Sequence, residues 1–143
     1  MKVRSDFVTN SSSSSFVIAY RKQTGYSEEE IKKYPILKLI PKLFEFVFES
    51  EDSWDTDVAD IFENKVEYDA YFKDRYDWRG HTIEEILNDD DYLKNRYEKV
   101  VSYLEKGYSI AEKSVGYSDE SMSELIKMLD AGSEDFVLLF SED

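Results

Sequence analysis

Ser11-Ser12-Ser13-Ser14-Ser15-Phe16-Val17-Ile18-Ala19-Tyr20-Arg21 joins a polar run directly to an apolar one, and its reading decides the fold. From Phe16 to Arg21 the spacing predicts a strand, with Phe16, Ile18 and Tyr20 on one face and Val17 and Ala19 on the other. Apolar residues on both faces mark an interior strand, covered above and below. The serines upstream are flanked by Phe7-Val8 and by Phe16-Val17, so both ends can anchor in a core. They are expected to form an ordered lead-in, their hydroxyls serving nearby backbone groups. Ser11, Ser12, Ser13, Ser14 and Ser15 are also candidates for partner binding. They make a poor phosphate cradle, because no glycine lets the backbone close in and no lysine follows the run.

The C-terminus supplies the second interior strand, Phe136-Val137-Leu138-Leu139-Phe140. A weaker strand over 108–116 and a helix over 119–131 precede it. Ser118 is read as the helix cap, Met122, Leu125, Ile126 and Leu129 as the buried stripe, and Gly132 as the closing residue. Strand, helix and strand fit a βαβ crossover with parallel strands. The N-terminal strand is expected beside the C-terminal one or one strand away. The expected class is α/β, or α+β, with a small three- to four-stranded sheet and a mostly helical middle.

In that middle, Ser27 and Glu30 form a capping box, and Pro35 ends a short first helix. Apolar positions 36, 39, 40, 43, 44 and 47 follow helical spacing from about residue 40, while the alternation from Phe44 to Glu49 also reads as a strand. Ser53 or Asp55 can cap a helix burying Val58, Ile61 and Phe62, with Val66, Tyr68 and Phe72 continuing its face. Residues 76–81 read as a loop. Thr82 and Glu85 form a second capping box, and the Asn88–Asp91 stretch caps a longer helix to Lys106. That helix buries Leu93, Tyr97, Val100, Val101 and Leu104 and ends before Gly107.

The chain has 143 residues, 41% of them hydrophobic and 15% aromatic, which is ample for one folded domain over 1–143. It contains no cysteine, which excludes disulfides, thiol nucleophiles and thiolate metal sites. No apolar run approaches the roughly 18 residues of a membrane span, and nothing at the N-terminus reads as a signal peptide; a cytoplasmic protein is expected. Net charge is −14, distributed as +2, −9 and −7 over residues 1–50, 51–100 and 101–143. Such a surface repels phosphate backbones, so direct nucleic-acid binding is not expected; it suits a basic protein partner or simply keeps the protein in solution.

The residues from Arg4 to Phe16 resemble an N-terminal signature of uncharacterised bacterial and bacteriophage proteins: a basic residue, Phe-Val-Ser-Asn, five serines and Phe. The chain matches at Phe7, Val8, Asn10, Ser11 to Ser15 and Phe16, and departs with Thr9 in place of serine. The resemblance implies a prokaryotic or phage origin and assigns no activity, cofactor or site.

No catalytic or cofactor-binding residue is identified. His81 is the one histidine, no Gly-x-Ser-x-Gly elbow exists, and the five isolated glycines build neither a dinucleotide fingerprint nor a P-loop. As a calcium loop, the stretch from Asp52 has Glu63 at position 12 but Trp54, Thr56 and Asp57 at positions 3, 5 and 6, so the pattern fails. Asp52, Asp55 and Asp57, or Asp89, Asp90 and Asp91, are weak candidates for a looser cation site; solvated helix caps are the expected role. Partner-binding candidates beside the serines are Glu49, Glu51, Asp52, Trp54, Asp55, Asp57, Asp60 and Trp78. The expected function is a non-enzymatic protein-interaction module. The alternatives are an inhibitor presenting carboxylates along a helix as DNA presents phosphates, and an enzyme with a carboxylate-bound metal.

Overall fold

The computed structural model describes residues 13–21, 26–51, 56–77, 80–116, 119–132 and 134–142. In chain order the elements are β1 (Ser13–Tyr20), α1 (Glu28–Lys33), a 3-10 turn (Pro35–Leu39), α2 (Ile40–Glu49), β2 (Asp60–Phe62), α3 (Lys65–Tyr76), α4 (Ile83–Asp89), α5 (Asp91–Glu105), β3 (Ser109–Gly116), α6 (Glu120–Gly132) and β4 (Phe136–Glu142). The four strands form one sheet in the order β2-β3-β1-β4, and every neighbouring pair is antiparallel.

β1 is interior, as its two apolar faces predict. It also begins three residues earlier than Phe16: Ser13, Ser14 and Ser15 pair with Gly116, Val115 and Ser114. The last serines are therefore strand, their backbone groups taken up by the ladder. Phe16, Ile18 and Tyr20 enter one core with Phe44, Val47 and Phe48 of α2, Met122, Ile126 and Leu129 of α6, and Phe136. Val17 and Ala19 enter the other, with Tyr68 and Phe72 of α3, Ile86 of α4, and Tyr97 and Val100 of α5. The sheet thus lies between two helical layers.

β3 and β4 both run antiparallel to β1 and so parallel to each other, with β1 between them. The crossover through α6 is present, opened by one strand. β4 is an edge strand, which corrects its reading as interior. Its apolar faces report the helices above and below it; they carry no information about lateral neighbours. At its outer side, Leu138 N–H donates to the Asp130 carboxylate at 2.8 Å.

Between residues 36 and 49 the helix prevails. Pro41 sits in the first turn of α2, where a missing N–H costs nothing. The helix expected to bury Val58, Ile61 and Phe62 is not there. Among the described residues, 56–59 belong to no helix or strand and 60–62 are β2, with Ile61 beside Ala111 of β3. The spacing 58, 61, 62 imitates a helical stripe, but the backbone bonds go elsewhere: Asp57 N–H to Ser114 C=O at 3.0 Å, and Ala59 N–H to Phe48 C=O at 2.8 Å. α3 is a separate helix, started by Asn64, whose side chain accepts from Glu67 N–H at 2.9 Å. Val66, expected inside, is 78% exposed.

Both capping boxes form. Gly107 closes α5 with φ +93°, a conformation that favours glycine. Asp119 caps α6 by accepting from Met122 N–H at 3.3 Å, while Ser118 lies outside the described residues. Gly132 belongs to the helix itself rather than to a left-handed closing turn. No helix among the described residues is long and apolar enough to cross a membrane.

Ile18, fully buried at the centre of the sheet, provides the test of this architecture. Ile18→Ala should lower the unfolding free energy by about 2–5 kcal/mol. Val66→Ala should change it by less than about 0.5 kcal/mol, both read from urea denaturation.

Candidate functional site

Two recesses flank the short edge strand β2, and residues 57–63 form the wall between them. The first, of about 500 Å³, is a groove between α2 and β2. Pro41, Phe44, Phe48, Val58, Ala59 and Ile61 give it apolar walls, and Glu45, Glu49 and Glu63 stand around it. α2 supplies Phe44 and Phe48 because four residues separate same-face positions, and Glu45 and Glu49 repeat that spacing beside them. Val58 and Ile61 are 46% and 38% exposed, unusually open for side chains flanking a core.

The second recess, of about 460 Å³, is polar and lies under α3 and α5. At its floor Arg96, only 4% exposed, bonds Glu112 of β3 through Nη2 at 3.0 Å and Glu142 of β4 through Nη1 at 2.5 Å. Tyr71 donates to Glu112 at 3.4 Å, and the Tyr92 hydroxyl donates to Glu142. Register explains how Glu142 arrives. Val17 pairs with Phe140 but Ile18 pairs with Leu138, so Leu139 is an extra residue in β4. That bulge reverses the alternation beyond it. Phe140 and Glu142 are thereby turned to the face of Val17 and Glu112, where the Arg96 guanidinium also lies over the Phe140 ring.

Burial pushes the Glu112 carboxyl above its ordinary value, against the opposing pull of Arg96 and Arg75. Burial works against the Arg96 charge as well, yet Glu112 and Glu142 hold it more firmly protonated than usual. Burial, reinforced by Glu112, also raises Tyr71 well above the ordinary phenol range. Arg96 Nε and the Tyr68 hydroxyl are buried without a hydrogen-bond partner among the described residues.

A buried lysine holds the wall. Lys113 is 2% exposed, on the same sheet face as Ala111 and Val115. Its ammonium donates to the Ser50 carbonyl at 2.5 Å and to the Asp57 carbonyl at 2.6 Å, with Ser50 Oγ at 3.4 Å. It thereby joins the C-terminal end of α2, where carbonyls lack helical partners, to the segment before β2. Opposite it, Gly116 N–H donates to the buried Thr56 hydroxyl at 2.9 Å.

Of the residues singled out from sequence, Glu49 rims the apolar groove, and Asp57, Asp60 and Ser15 line the polar recess. Glu51 is exposed and Ser14 is buried. Ser11, Ser12, Asp52, Trp54, Asp55 and Trp78 lie outside the described residues, and so does the side chain of Ser13. Asp89 ends α4 and Asp91 opens α5; Asp90 caps α5, accepting from Tyr92 N–H at 3.0 Å and Leu93 N–H at 3.1 Å. Among the described residues no three His, Asp or Glu side chains gather as a metal site. His81 stands 3.7 Å from the Asp77 carboxylate and is 41% exposed. Neither Arg96 nor Lys113 is singled out by the sequence as a site residue. Their signal is positional only: a cation in the buried register of a helix or strand.

Comparison of the chain with protein-family models, with curated proteins and with solved structures finds no match.

Two outcomes follow from the buried charges. Lys113→Met leaves two carbonyls without their donor and should cost about 1–3 kcal/mol, with faster hydrogen exchange at the Asp57 amide. For Glu112 the raised folded pKa means that the native state holds the proton more tightly than the unfolded chain does. Its contribution is therefore fully present below the unfolded value of 4.5 and is lost as pH rises through the higher folded value. The stability of the parent protein relative to Glu112→Gln, followed by urea denaturation across that window, should fall as pH rises and level off above it.

Proposed function

We propose that this chain is a non-enzymatic protein-interaction module whose groove between α2 and β2 receives a basic segment with an apolar anchor. The observation that carries this reading is the groove's composition: apolar walls open to solvent, ringed by Glu45, Glu49 and Glu63 with no Lys or Arg among the lining residues. A partner that fills such a groove gains from apolar burial, and a partner that is also basic gains from the rim. The net charge of −14 adds steering over longer range. Tyr34, Ile36, Leu39 and Phe46, each about half exposed, add apolar surface on the same helical layer.

This reading is favoured over nucleic-acid mimicry because the described carboxylates from Glu49 to Glu63 do not follow one helix. Glu49 ends α2, Asp57 lies outside any helix or strand and Asp60 opens β2. It is favoured over a carboxylate-metal enzyme because no three acids gather as a metal site among the described residues. The resemblance of Arg4 to Phe16 to bacterial and bacteriophage proteins supports seeking the partner among proteins of those sources, in the cytoplasm.

Isothermal titration with short basic-apolar peptides tests the proposal. The joint variant Glu45→Lys and Glu49→Lys, at exposed positions, should weaken binding about tenfold or more, and Ile61→Ser by about threefold or more. Raising salt from about 50 to about 500 mM should weaken it further. Affinity indifferent to both the rim charges and salt would remove the reading.

A further inference from the structure

The two recesses share one wall, and the direction of its backbone groups says how a partner would lie on it. Ala59 N–H is bonded to Phe48 C=O at 2.8 Å, and Glu63 N–H to the Glu67 carboxylate at 2.8 Å. Both donors therefore point away from β3. On the opposing strand, Ser114 C=O accepts from Asp57 N–H, so the even-numbered residues of β3 turn their backbone groups towards β2. Glu112 and Ile110 stand opposite Asp60 and Phe62, and these are the pairs that exchange ladder bonds. Ile61, between them, turns its own N–H and C=O outward. It is the one residue of β2 so directed, and the outward donors on either side of it are already engaged.

Side-chain direction follows the same parity. Ile61 faces the apolar groove, whereas Asp60 faces the polar recess, which Asp57 also lines. The polar recess carries four carboxylates, Asp57, Asp60, Glu112 and Glu142, against three cations, Arg75, Arg96 and Lys113. Lys113 is turned to the Ser50 and Asp57 carbonyls, and Arg96 is held by two of the glutamates. No ion-pair partner lies within 4.0 Å of Asp60 among the described residues, so its charge is open to a partner.

Resting on the groove reading above, we infer that the partner binds as a short extended segment antiparallel to β2, one residue exchanging both backbone hydrogen bonds with Ile61. In such a pair the central residue's side chain falls on the Ile61 face, in the apolar groove. Its neighbours fall on the opposite face, the following one beside Asp60 and the preceding one beside Phe62. The recognised pattern is therefore an apolar residue followed by a basic one, read from the two sides of one edge strand. A helical ligand would use the groove alone and leave the polar recess empty.

The test uses the full chain and three capped synthetic peptides. One carries Ile-Lys between glycines, the second has the same composition reversed as Lys-Ile, and the third is the first with its isoleucine nitrogen methylated. The Ile-Lys peptide should bind about tenfold more tightly than either of the others, since reversal puts the charge beside Phe62 and methylation removes a donor. On the protein side, Asp60→Asn should narrow the gap between the Ile-Lys and reversed peptides. Ile61→Pro should mimic the methylation effect, because the lost N–H is not a ladder donor. Equal affinity for all three peptides, with the rim variants still weakening binding, would overturn the strand mode and leave the groove reading standing. No binding by any of them would overturn both.

Discussion

Everything in this molecule depends on β1 being dry on both faces and paired on both edges. A strand in that position has no access to water for its peptide groups, so each must find its partner in β3 or β4. The strand is assembled from the two ends of the chain: β1 is near the start, and its partners lie in the last third. Closing such distant segments costs chain entropy, which must be recovered in apolar burial. Phe16, Ile18 and Tyr20 recover it against α2 and α6, and Val17 and Ala19 against α3, α4 and α5. The serines at the start of β1 lengthen the ladder without adding bulk. They let the sheet continue to Glu142 and Gly116, where the polar recess begins.

The buried charges do a different job from the cores. An ion pair withdrawn from water seldom stabilises more than a well-packed apolar pair would, because desolvation opposes the Coulomb gain. What Arg96 and Lys113 provide is position. Arg96 joins α5 to β3 and to the end of β4, and a one-residue bulge is what turns Glu142 towards it. Lys113 ties the end of α2 to the segment before β2. At the wall, the acidic stretch that the sequence offered as a loose cation site meets a cation from the chain itself, and the ammonium is held by the Asp57 carbonyl of that stretch and by the Ser50 carbonyl before it. Between them, the two side chains fix both recesses.

Much of the fold could be read from the sequence because its signals were local. Ser27 with Glu30, Thr82 with Glu85, the aspartate at 90 and the glycine at 107 each start or stop a helix within one turn. The period-two pattern of Phe16 to Tyr20 was legible for the same reason. The failures were all questions of neighbourhood. Phe136 to Phe140 has two apolar faces and one free edge, and hydropathy reports only the faces. Val58, Ile61 and Phe62 have helical spacing, but the segment's backbone bonds run from Asp57 to Ser114, from Ala59 to Phe48 and from β2 to β3, outside any helix. The candidate site was legible only in part. Glu49, Asp57 and Asp60 were singled out for charge, yet that charge alone does not show that they stand on different sides of one strand. Arg96 and Lys113 were invisible, since a buried cation is recognised only by the carboxylates and carbonyls that surround it.

The outer rows of the sheet carry a further consequence. At β4 the amide of Leu138 is spent on Asp130, and at β2 the amides of Ala59 and Glu63 are spent on Phe48 and Glu67. An open row of such groups is a template on which copies of a β protein stack without limit. Here the template is interrupted at both ends of the sheet by acceptors drawn from the chain's own helices. A chain so rich in aromatic residues is thus given a brake on self-assembly, and what is left unblocked at β2 is one residue wide, enough to greet a visitor and too little to seed a fibre.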